Sequence, residues 1–504
     1  MSKLKMGWAE VSITPDKKIS LSGQFAERIS EYVEKPLTAT VLAIDSGDDQ
    51  AILCSCDLAA IFWNIMEAVR ARLEGNALGL DPKKIIISAI HTHTGPVLPG
   101  EKRAAREGSI SLKSLREQLE SFLEPGQKYV EKVNVSHNPE IATPQECHDL
   151  LIDRLCQAIL TAWENRKSAS FSNAFGRAAV GMCRRAAYSD DTAQMWGDTN
   201  TAVFEALEGG NDSGIELMYV FGENKELTGI VANLACPAQC VQHRLFVSPD
   251  FWGEVKVRLR QHFGEHIFML PLCSAAGDQC PVDLVRWVEP YSDINDPNCV
   301  RVDPPKRKAD PSMFDLAGMY KAGKRVANEI IEVWQEGLDE PQEDVVLEHR
   351  VKDLQLPLRR ATLTDVKNAE RGIKDYLRDV KGDVDYNDVA KLQIHLGTLS
   401  RFEQQNKMDI IQAESHFIRL GTIAIATNPF ELFLDYGNQI KARSDAEQTF
   451  LIQLACGSEG YLPTEKAERH GHYSAFISSG QVGHVGGEQI VRETLQNIRQ
   501  MFAK

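Results

Sequence analysis

Short runs of apolar residues alternate along the chain with longer segments in which apolar positions recur every three or four residues. Two apolar runs, over 37–45 and 51–56, flank a turn-forming sequence at 46–49, and this arrangement predicts a β-hairpin. Helical spacing follows over 61–78, and another apolar run occupies 85–90. The elements after the turn are therefore typical of a strand, a helix and a second, parallel strand.

The same order of elements recurs in the middle of the chain. An apolar run over 229–235 precedes a segment with helical spacing over 251–262, and a further run occupies 267–272. In such a unit the helix packs on the face of two parallel strands, because the connection has to cross the sheet. We therefore expect an α/β fold whose mixed or mainly parallel sheet is flanked by helices.

The remaining segments predict a single domain over 1–504 with two excursions from the sheet. A polar stretch without alternation, 101–146, predicts a loop or lid, and charged helical sequence over 360–410 predicts a helical insertion. A Pro- and Asp-rich connector is expected over 293–311. Three further runs return the chain to a sheet: 416–420, 422–427 and 449–454.

Composition narrows the classes of function. Hydrophobic residues make up 43% of the 504 positions and charged residues 25%, which is typical of a folded globular protein. A formal net charge of -15 disfavours nucleic acid and anionic membrane surfaces as partners. We expect no signal peptide, since the N-terminus lacks the roughly 7 to 15 apolar residues of a signal h-region. We expect no stable membrane insertion, since no apolar run reaches about 18 residues. The 11 cysteines, an odd number, predict reduced thiols in a cytoplasmic protein.

The first candidate site follows the apolar run over 85–90. His91 and His93 come directly after it, and in extended backbone the side chains of residues i and i+2 point to the same side. Imidazole nitrogen is a good ligand for zinc and similar ions. Ligands of α/β sheets collect beyond the carboxyl ends of the strands, so this position favours a metal site. A second such pair, His470 and His472, is expected on a polar surface loop.

Other predicted strands also end in residues that bind metals or act as nucleophiles. These residues, each with its predicted strand, are Asp57 (51–56), Cys236 (229–235), Asp278 and Cys280 (267–272), Glu431 (422–427) and Tyr461 (449–454). If the strands share one sheet, the side chains converge with the two histidines on one cleft.

The most specific motif in the chain is Ser-Ala-Ile-His-Thr-His-Thr-Gly-Pro at 88–96, and weaker motifs follow the same order at 8–15, 21–23, 277–281, 428–431 and 460–464. The first is similar to the serine-alanine-threonine-histidine-threonine-histidine-serine-glycine-proline run of the neutral ceramidases and their bacterial relatives. These are zinc-dependent amidases that cleave N-acyl sphingosine. The resemblance implies a ceramidase-like catalytic domain that ends with a helix opened at 486–488, without the β-sandwich of the larger ceramidases.

This resemblance assigns roles to the strand-end residues. It implies Zn²⁺ as cofactor, held by His91, Glu431 and Tyr461, and it implies that His93 faces the substrate as a catalytic residue. Cys236 stands where the family has its second zinc-binding histidine. A cysteine thiolate is also a good zinc ligand, so we expect Cys236 to complete the metal site.

Five further residues are candidates around that site. Asp278 is expected to orient an imidazole, and Cys280, which replaces a serine of the family motif, is either a nucleophile or a small buried residue. Arg184 and Arg185 resemble an arginine pair of the family and are candidates for binding an anionic group of the substrate. His243 is an alternative metal ligand.

We interpret the sequence as a metal-dependent hydrolase of the neutral ceramidase-like type that cleaves an amide or ester of a soluble small molecule with a metal-activated water. A second hypothesis keeps the fold but uses Cys280 or Cys236 as a thiolate nucleophile without a metal. Two more hypotheses on the same fold are a non-catalytic ligand-binding protein and a carbohydrate-active enzyme. The sequence leaves homo-oligomer formation open.

Overall fold

The computed structural model describes residues 4–24, 27–100, 114–130, 138–285, 313–338 and 341–503. The strands, numbered in chain order, are β1 (Lys5–Ser12), β2 (Lys18–Ile19), β3 (Tyr32–Val33), β4 (Thr38–Asp45), β5 (Gln50–Cys56), β6 (Ile85–Ala89), β7 (Ile141–Ala142), β8 (Lys167–Ser168), β9 (Ser170–Arg177), β10 (Met182–Cys183), β11 (Arg185–Tyr188), β12 (Ala193–Met195), β13 (Phe204–Leu207), β14 (Gly214–Phe221), β15 (Leu227–Leu234), β16 (Phe246–Val247), β17 (Phe268–Cys273), β18 (Gln279–Cys280), β19 (Leu347–Pro357), β20 (Ile410–Leu420), β21 (Ile423–Thr427), β22 (Glu431–Leu432), β23 (Gln448–Ile452) and β24 (Tyr461–Leu462).

The α-helices of the same residues are α1 (Trp63–Leu73), α2 (Leu115–Glu120), α3 (Pro144–Glu164), α4 (Phe251–Phe263), α5 (Asp315–Glu332), α6 (Leu363–Asp379), α7 (Tyr386–Lys391), α8 (Gln393–Gln404), α9 (Leu434–Arg443), α10 (Glu465–His470) and α11 (His484–Phe502). The connector predicted over 293–311 lies outside the described residues, as do 101–113 and 131–137 of the stretch predicted as a lid.

The first sheet has five strands in the order β6-β5-β4-β1-β8. β4 and β5 form the predicted hairpin, and β5 runs parallel to β6 after the crossover through α1. All five residues of β6 are buried, which explains its uninterrupted apolar sequence. Helix α1 ends at Leu73, before the predicted end at 78, because Gly75 takes a φ of +70° and the Asn76 amide donates to the carbonyl oxygen of Leu73.

The second and third sheets repeat this plan. Their strand orders are β17-β15-β14-β9 and β19-β20-β21-β23. In each sheet one pair is parallel, β15 with β17 across α4 and β21 with β23 across α9, while the other pairs are antiparallel. The mixed α/β fold is therefore confirmed. The strands form several sheets, because each helical crossover connects only one parallel pair and antiparallel strands add to that pair.

The three parallel pairs meet at their carboxyl ends. The side-chain amide of Asn233, in β15, donates to the carbonyl oxygen of Leu451 at 2.7 Å and accepts from its N–H at 3.2 Å, which joins the second sheet to the third. Ser88 of β6 pairs with Ala455, just beyond β23. These contacts gather strand ends from different sheets in one region.

The helical segment expected over 360–410 contains α6, α7 and α8. It has a small core of its own, to which α2 contributes Leu119 and the insertion contributes Ile373, Leu377 and Leu396. Thr362 begins α6 with a capping box, since its hydroxyl accepts from the N–H of Asp365 while the carboxylate of Asp365 accepts from Thr362. Among the described helices, none combines the length and apolar character needed to cross a bilayer.

Candidate active site

His91 lies two residues beyond β6, in the left-handed region of backbone conformation (φ +66°) that few residues other than glycine adopt. Its Nδ1 lies 2.6 Å from the carbonyl oxygen of Ala59. A carbonyl oxygen only accepts, so Nδ1 carries the ring proton of the neutral imidazole and Nε2 carries the lone pair. Nε2 lies 3.3 Å from Oε2 of Glu431. In the neutral ring a lone pair thus faces a carboxylate, and either a proton on Nε2 or a metal ion between the two atoms makes this contact favourable.

Glu431 and Tyr461 are neighbours across the short parallel pair of β22 and β24. The N–H of Glu431 donates to the carbonyl oxygen of Gly460, whose φ of +83° turns the chain into β24. On the other side, Gly277 packs so closely that a Cβ there would lie 2.3 Å from the carbonyl oxygen of Glu431. Three of the motifs noted in the sequence therefore pack on one another.

His93 lies beside His91, with ring centroids 5.0 Å apart and ring planes at 71°. The amide nitrogen of Gln239 lies 2.9 Å from Nε2 of His93. An amide nitrogen only donates, so the proton of neutral His93 is on Nδ1, which is buried without a partner in the described part of the chain. Burial, followed by the charge of His91, holds the pKa of His93 well below its usual value. Gly23 is needed at this point, because a Cβ there would lie 2.2 Å from Cγ of His93.

Arg184 places a buried guanidinium beside these groups. Its Nη2 donates to the carbonyl oxygen of Gly277 at 2.8 Å, and its Cζ lies 5.4 Å from the ring centroid of Tyr461 and 5.9 Å from that of Tyr473. Burial favours the neutral form, but Tyr461, Glu431 and Tyr473 outweigh it, so the pKa of Arg184 is raised and the side chain stays charged. Its Nε has no hydrogen-bond partner among the described residues.

Arg185 points away from Arg184, as adjacent residues do at the start of a strand. Its side chain is fully buried and forms an ion pair with Glu208. The same guanidinium donates to the carbonyl oxygens of Tyr473 at 2.7 Å and Gly471 at 2.6 Å. Arg185 therefore holds the loop at Gly471 and Tyr473 in place by hydrogen bonds. Its predicted contact with the substrate stays a prediction.

Cys236 is fully buried at the end of β15, with Sγ 3.5 Å from the carbonyl oxygen of Pro237. Burial, followed by the nearby Cys273, raises the pKa of the Cys236 thiol. Within the described residues, no group of three His, Cys, Asp or Glu side chains with ligand atoms all within 4.8 Å contains His91 or Glu431. The structure therefore brings His91 and Glu431 together, and the role of Cys236 as a ligand stays a prediction.

The other candidates have partners of their own. Oδ1 of Asp278 accepts from the N–H of Leu434 at 2.9 Å and so caps the start of α9. Cys280 is fully buried in an apolar cluster beside β11 and β12. His243 lies 3.4 Å from the carboxylate of Asp315. None of these observations tests the predicted roles directly. The contacts of Asp278 and His243 were not indicated by the sequence, whereas burial of Cys280 was one of its two interpretations.

His472 lies after α10, at the edge of this region. Its Nδ1 accepts a hydrogen bond from the N–H of Met195 at 3.0 Å, which requires the neutral imidazole. Burial and the charge of Arg185 lower the pKa of His472 from 6.5 to about 4. Protonation therefore breaks a contact that holds this loop against β12.

We expect His472 to make the protein sensitive to mild acid. The unfolded chain regains the ordinary imidazole pKa and binds the proton first. The contribution of His472 to the free energy of unfolding is therefore constant above about pH 6.5 and falls below it by up to about 1.4 kcal/mol per pH unit, until the folded-state pKa is reached. Urea denaturation of the wild type and His472→Gln, between about pH 7 and pH 4, measures this. Equal slopes in the two proteins would contradict the assignment.

Sequence analysis missed two residues that contact His93. Gln239 lies five residues beyond β15, so its strand-end position was a usable signal. Arg28 donates from Nη2 to the carbonyl oxygen of His93 at 2.7 Å across a separation of 65 residues. No local pattern marks Arg28, because its role depends only on how the chain folds back.

It also missed a second group of ligand-type side chains. Glu414, His416 and Cys456 are buried, and their ligand atoms lie within 4.8 Å of one another. Glu414 and His416 have the same i, i+2 spacing that drew attention to His91 and His93. The predicted strand began at 416, which left Glu414 outside it.

Comparisons with known proteins show similarity at the level of the fold. Neither a protein-family model nor a curated protein matches the chain. The solved neutral ceramidase from Pseudomonas aeruginosa superposes with a TM-score of 0.65 and 14% identity, over 100% of this chain and 75% of that one. A ceramidase complexed with C2 gives 0.63 and 12%, over 100% and 76%. The ceramidase-like fold expected from the motifs is therefore confirmed.

Proposed function

We propose that the protein is a metal-dependent hydrolase that cleaves an amide or ester bond of a soluble small molecule. The observation that carries the proposal is the pair formed by His91 and Glu431, in which an imidazole lone pair faces a carboxylate oxygen at 3.3 Å. The fold is similar to that of solved ceramidases, and that likeness supports the reaction class without establishing it.

The donor atoms fit a zinc-class ion. Imidazole nitrogen and carboxylate oxygen are both usual zinc ligands, and the bond from His91 to Ala59 holds the ring in the tautomer that a metal needs. Tyr461, next to Glu431, is proposed as a third ligand, and Cys236 enters the proposal through its place in the sequence motif. When bound, such an ion polarises a carbonyl group and lowers the pKa of water.

His93 and Arg184 bind and orient the substrate in this proposal. Arg184 has a buried Nε–H without a hydrogen-bond partner among the described residues. The buried ring of His93 contacts the side chains of Gln239 and Gln242. Because the pKa of His93 is lowered, the ring is neutral near pH 7 and its Nδ1–H donates to an oxygen that gains negative charge. Arg184 adds a fixed positive charge suited to a carboxylate or another anionic group.

The two thiol nucleophiles considered from the sequence are less suited to the reaction. Burial raises the pKa of Cys236, which disfavours the reactive thiolate, and Cys280 lies in an apolar cluster. All ten cysteines of the described ranges are free and buried. Reduced thiols fit the cytoplasmic location that we propose.

Metal removal tests this proposal. We expect the purified chain to hydrolyse members of a panel of aryl esters and N-acyl amides, to lose turnover after dialysis against a chelator, and to regain it with Zn²⁺. Thiol alkylation without chelation serves as the matched treatment and should leave turnover in place. Turnover that survives metal removal and disappears on alkylation would overturn the metal mechanism in favour of a thiol.

A further inference from the structure

A second buried cluster lies away from the His91 and Glu431 pair, where the first and third sheets meet. Glu414 and His416 are two residues apart in β20 and face the same side, and Cys456 follows β23. Oε1 of Glu414 lies 2.9 Å from Nε2 of His416, and Sγ of Cys456 lies 3.6 Å from the same nitrogen. The residues are 7%, 0% and 2% exposed, so water does not satisfy these groups.

The protons of this cluster can be counted along a chain of contacts. Nδ1 of His349 lies 3.0 Å from the carbonyl oxygen of Gln50, and Nε2 of His349 lies 2.8 Å from Nδ1 of His416. The carbonyl only accepts, so His349 donates from Nδ1 and accepts at Nε2, and His416 donates from Nδ1. The lone pair of neutral His416 is then on Nε2, facing the carboxylate of Glu414.

Each of these three contacts needs a proton or another cation between its two atoms. Two neutral imidazoles supply only two such protons, one on each ring. The third centre is either a proton, which makes an imidazolium, or a metal ion between His416 and Glu414. Both occupants give the cluster the same formal charge, because a divalent ion displaces the thiol proton of Cys456. The sulfur of Cys456 favours the metal ion. A proton shared by a nitrogen and an oxygen needs no third ligand atom, whereas a metal ion does.

Neighbouring groups orient these three side chains by hydrogen bonds. The ligands of protein metal sites are oriented in the same way. Arg70 donates to both carboxylate oxygens of Glu414, at 2.6 and 2.8 Å, and fixes the plane of that group. His349 fixes the tautomer of His416. The N–H of Cys456 donates to the carbonyl oxygen of Ile87, in β6. A surface groove of about 850 Å³, lined in part by Arg70 and Glu414, gives an ion a route to the cluster.

We propose that Glu414, His416 and Cys456 bind one divalent cation of the zinc class, and that this ion joins β20 to the segment after β23 that contacts β6. Mixed nitrogen, oxygen and thiolate ligands select such ions over magnesium or calcium. The thiol proton leaves to solvent as the sulfur binds the ion. This site is separate from the one in the proposed function, and it stands or falls independently of hydrolysis.

Cobalt binding tests the proposal on the full-length chain. The chain is stripped of metal and titrated with Co²⁺ alone, and absorption is followed for the charge-transfer band of a cobalt thiolate. The titration uses the His91→Ala background, which lacks the first site. We expect the band in His91→Ala and in His91→Ala with Cys236→Ser, and its loss in His91→Ala with Cys456→Ser. The matched cysteine variants show which sulfur binds, because Cys236 belongs to the other site. A band that disappears in Cys236→Ser and persists in Cys456→Ser would overturn the proposal.

Two further measurements keep the test decisive if Cys456→Ser does not fold. Zn²⁺ should raise the Tm of stripped His91→Ala, which lacks the first site, since the ion binds only the folded cluster. X-ray absorption at the zinc edge of His91→Ala, which lacks the first site, should show one sulfur at about 2.3 Å. Absence of the cobalt thiolate band in His91→Ala, or zinc with only nitrogen and oxygen neighbours, would identify a protonated His416 and no metal site.

Discussion

Replacing Glu431 with glutamine is expected to lower kcat/KM by about 10³-fold while the chain stays folded. The amide has the shape of the carboxylate but lacks its charge, so the contact of 3.3 Å with Nε2 of His91 no longer attracts a cation. A metal contributes several kcal/mol to stabilising the transition state, and each 1.36 kcal/mol corresponds to a factor of ten in rate. Steady-state kinetics and metal content of wild type and Glu431→Gln measure both effects.

The chain offers a matched control for this substitution. Glu465 is exposed at the start of α10, so Glu465→Gln makes the same chemical change outside the cleft and should leave kcat/KM unchanged. His91→Ala should reproduce the loss of metal and turnover seen with Glu431→Gln. If Glu431→Gln keeps both its metal and its rate, the pair does not form the catalytic site.

Arg185→Gln is expected to lower the free energy of unfolding by about 3–5 kcal/mol, the usual cost of breaking a buried ion pair. The side chains of Arg185 and Glu208 are 0% and 5% exposed, so the variant leaves a carboxylate in a poorly solvated place. It also removes the donors to the carbonyl oxygens of Gly471 and Tyr473. Urea denaturation of wild type and variant measures the loss.

Two comparisons separate this structural role from the substrate contact predicted from the sequence. Arg378→Gln changes an exposed ion pair with Asp375 and should cost no more than about 1 kcal/mol. Arg184→Gln should raise KM, whereas Arg185→Gln should leave KM close to that of the wild type. A large rise in KM with unchanged stability in Arg185→Gln would support the substrate contact instead.

Individual strands, helices and hairpins were predictable because the residues that specify them are close together in the sequence. The hairpin of β4 and β5, the crossover through α1 and the repeat of this plan through α4 follow from apolar periodicity and turn residues within a few tens of positions. The end of α1 was set too late. Gly75 and Asn76 mark the stop, and a weak apolar pattern beyond them concealed it.

The sequence predicted that the strand ends converge, but the structure brings them together in a different way. One sheet was expected, whereas the ends of β6, β15 and β23 belong to three sheets that meet through side chains such as Asn233. The sequence motifs correctly indicated that the segments of His91, Gly277, Glu431 and Tyr461 belong together. The predicted place of Cys236 in the metal site stays a prediction.

Partners distant in sequence explain the remaining differences. Arg184 and Arg185 are equivalent in the sequence, and only the direction of each side chain gives one a place beside Tyr461 and the other a bond to Glu208. His416 and Cys456 are 40 residues apart, and their common environment exists only after β20 packs against the first sheet.

The sequence by itself determined the α/β class, the order of strands and helices, and the residue types available at each strand end, because periodicity and turn chemistry act over short distances. The tertiary structure decided how the strands divide among sheets, which groups Arg184 and Arg185 contact, and which ligand-type side chains lie close together. Those outcomes depend on contacts of a few ångströms between residues tens to hundreds of positions apart, and no local pattern encodes them.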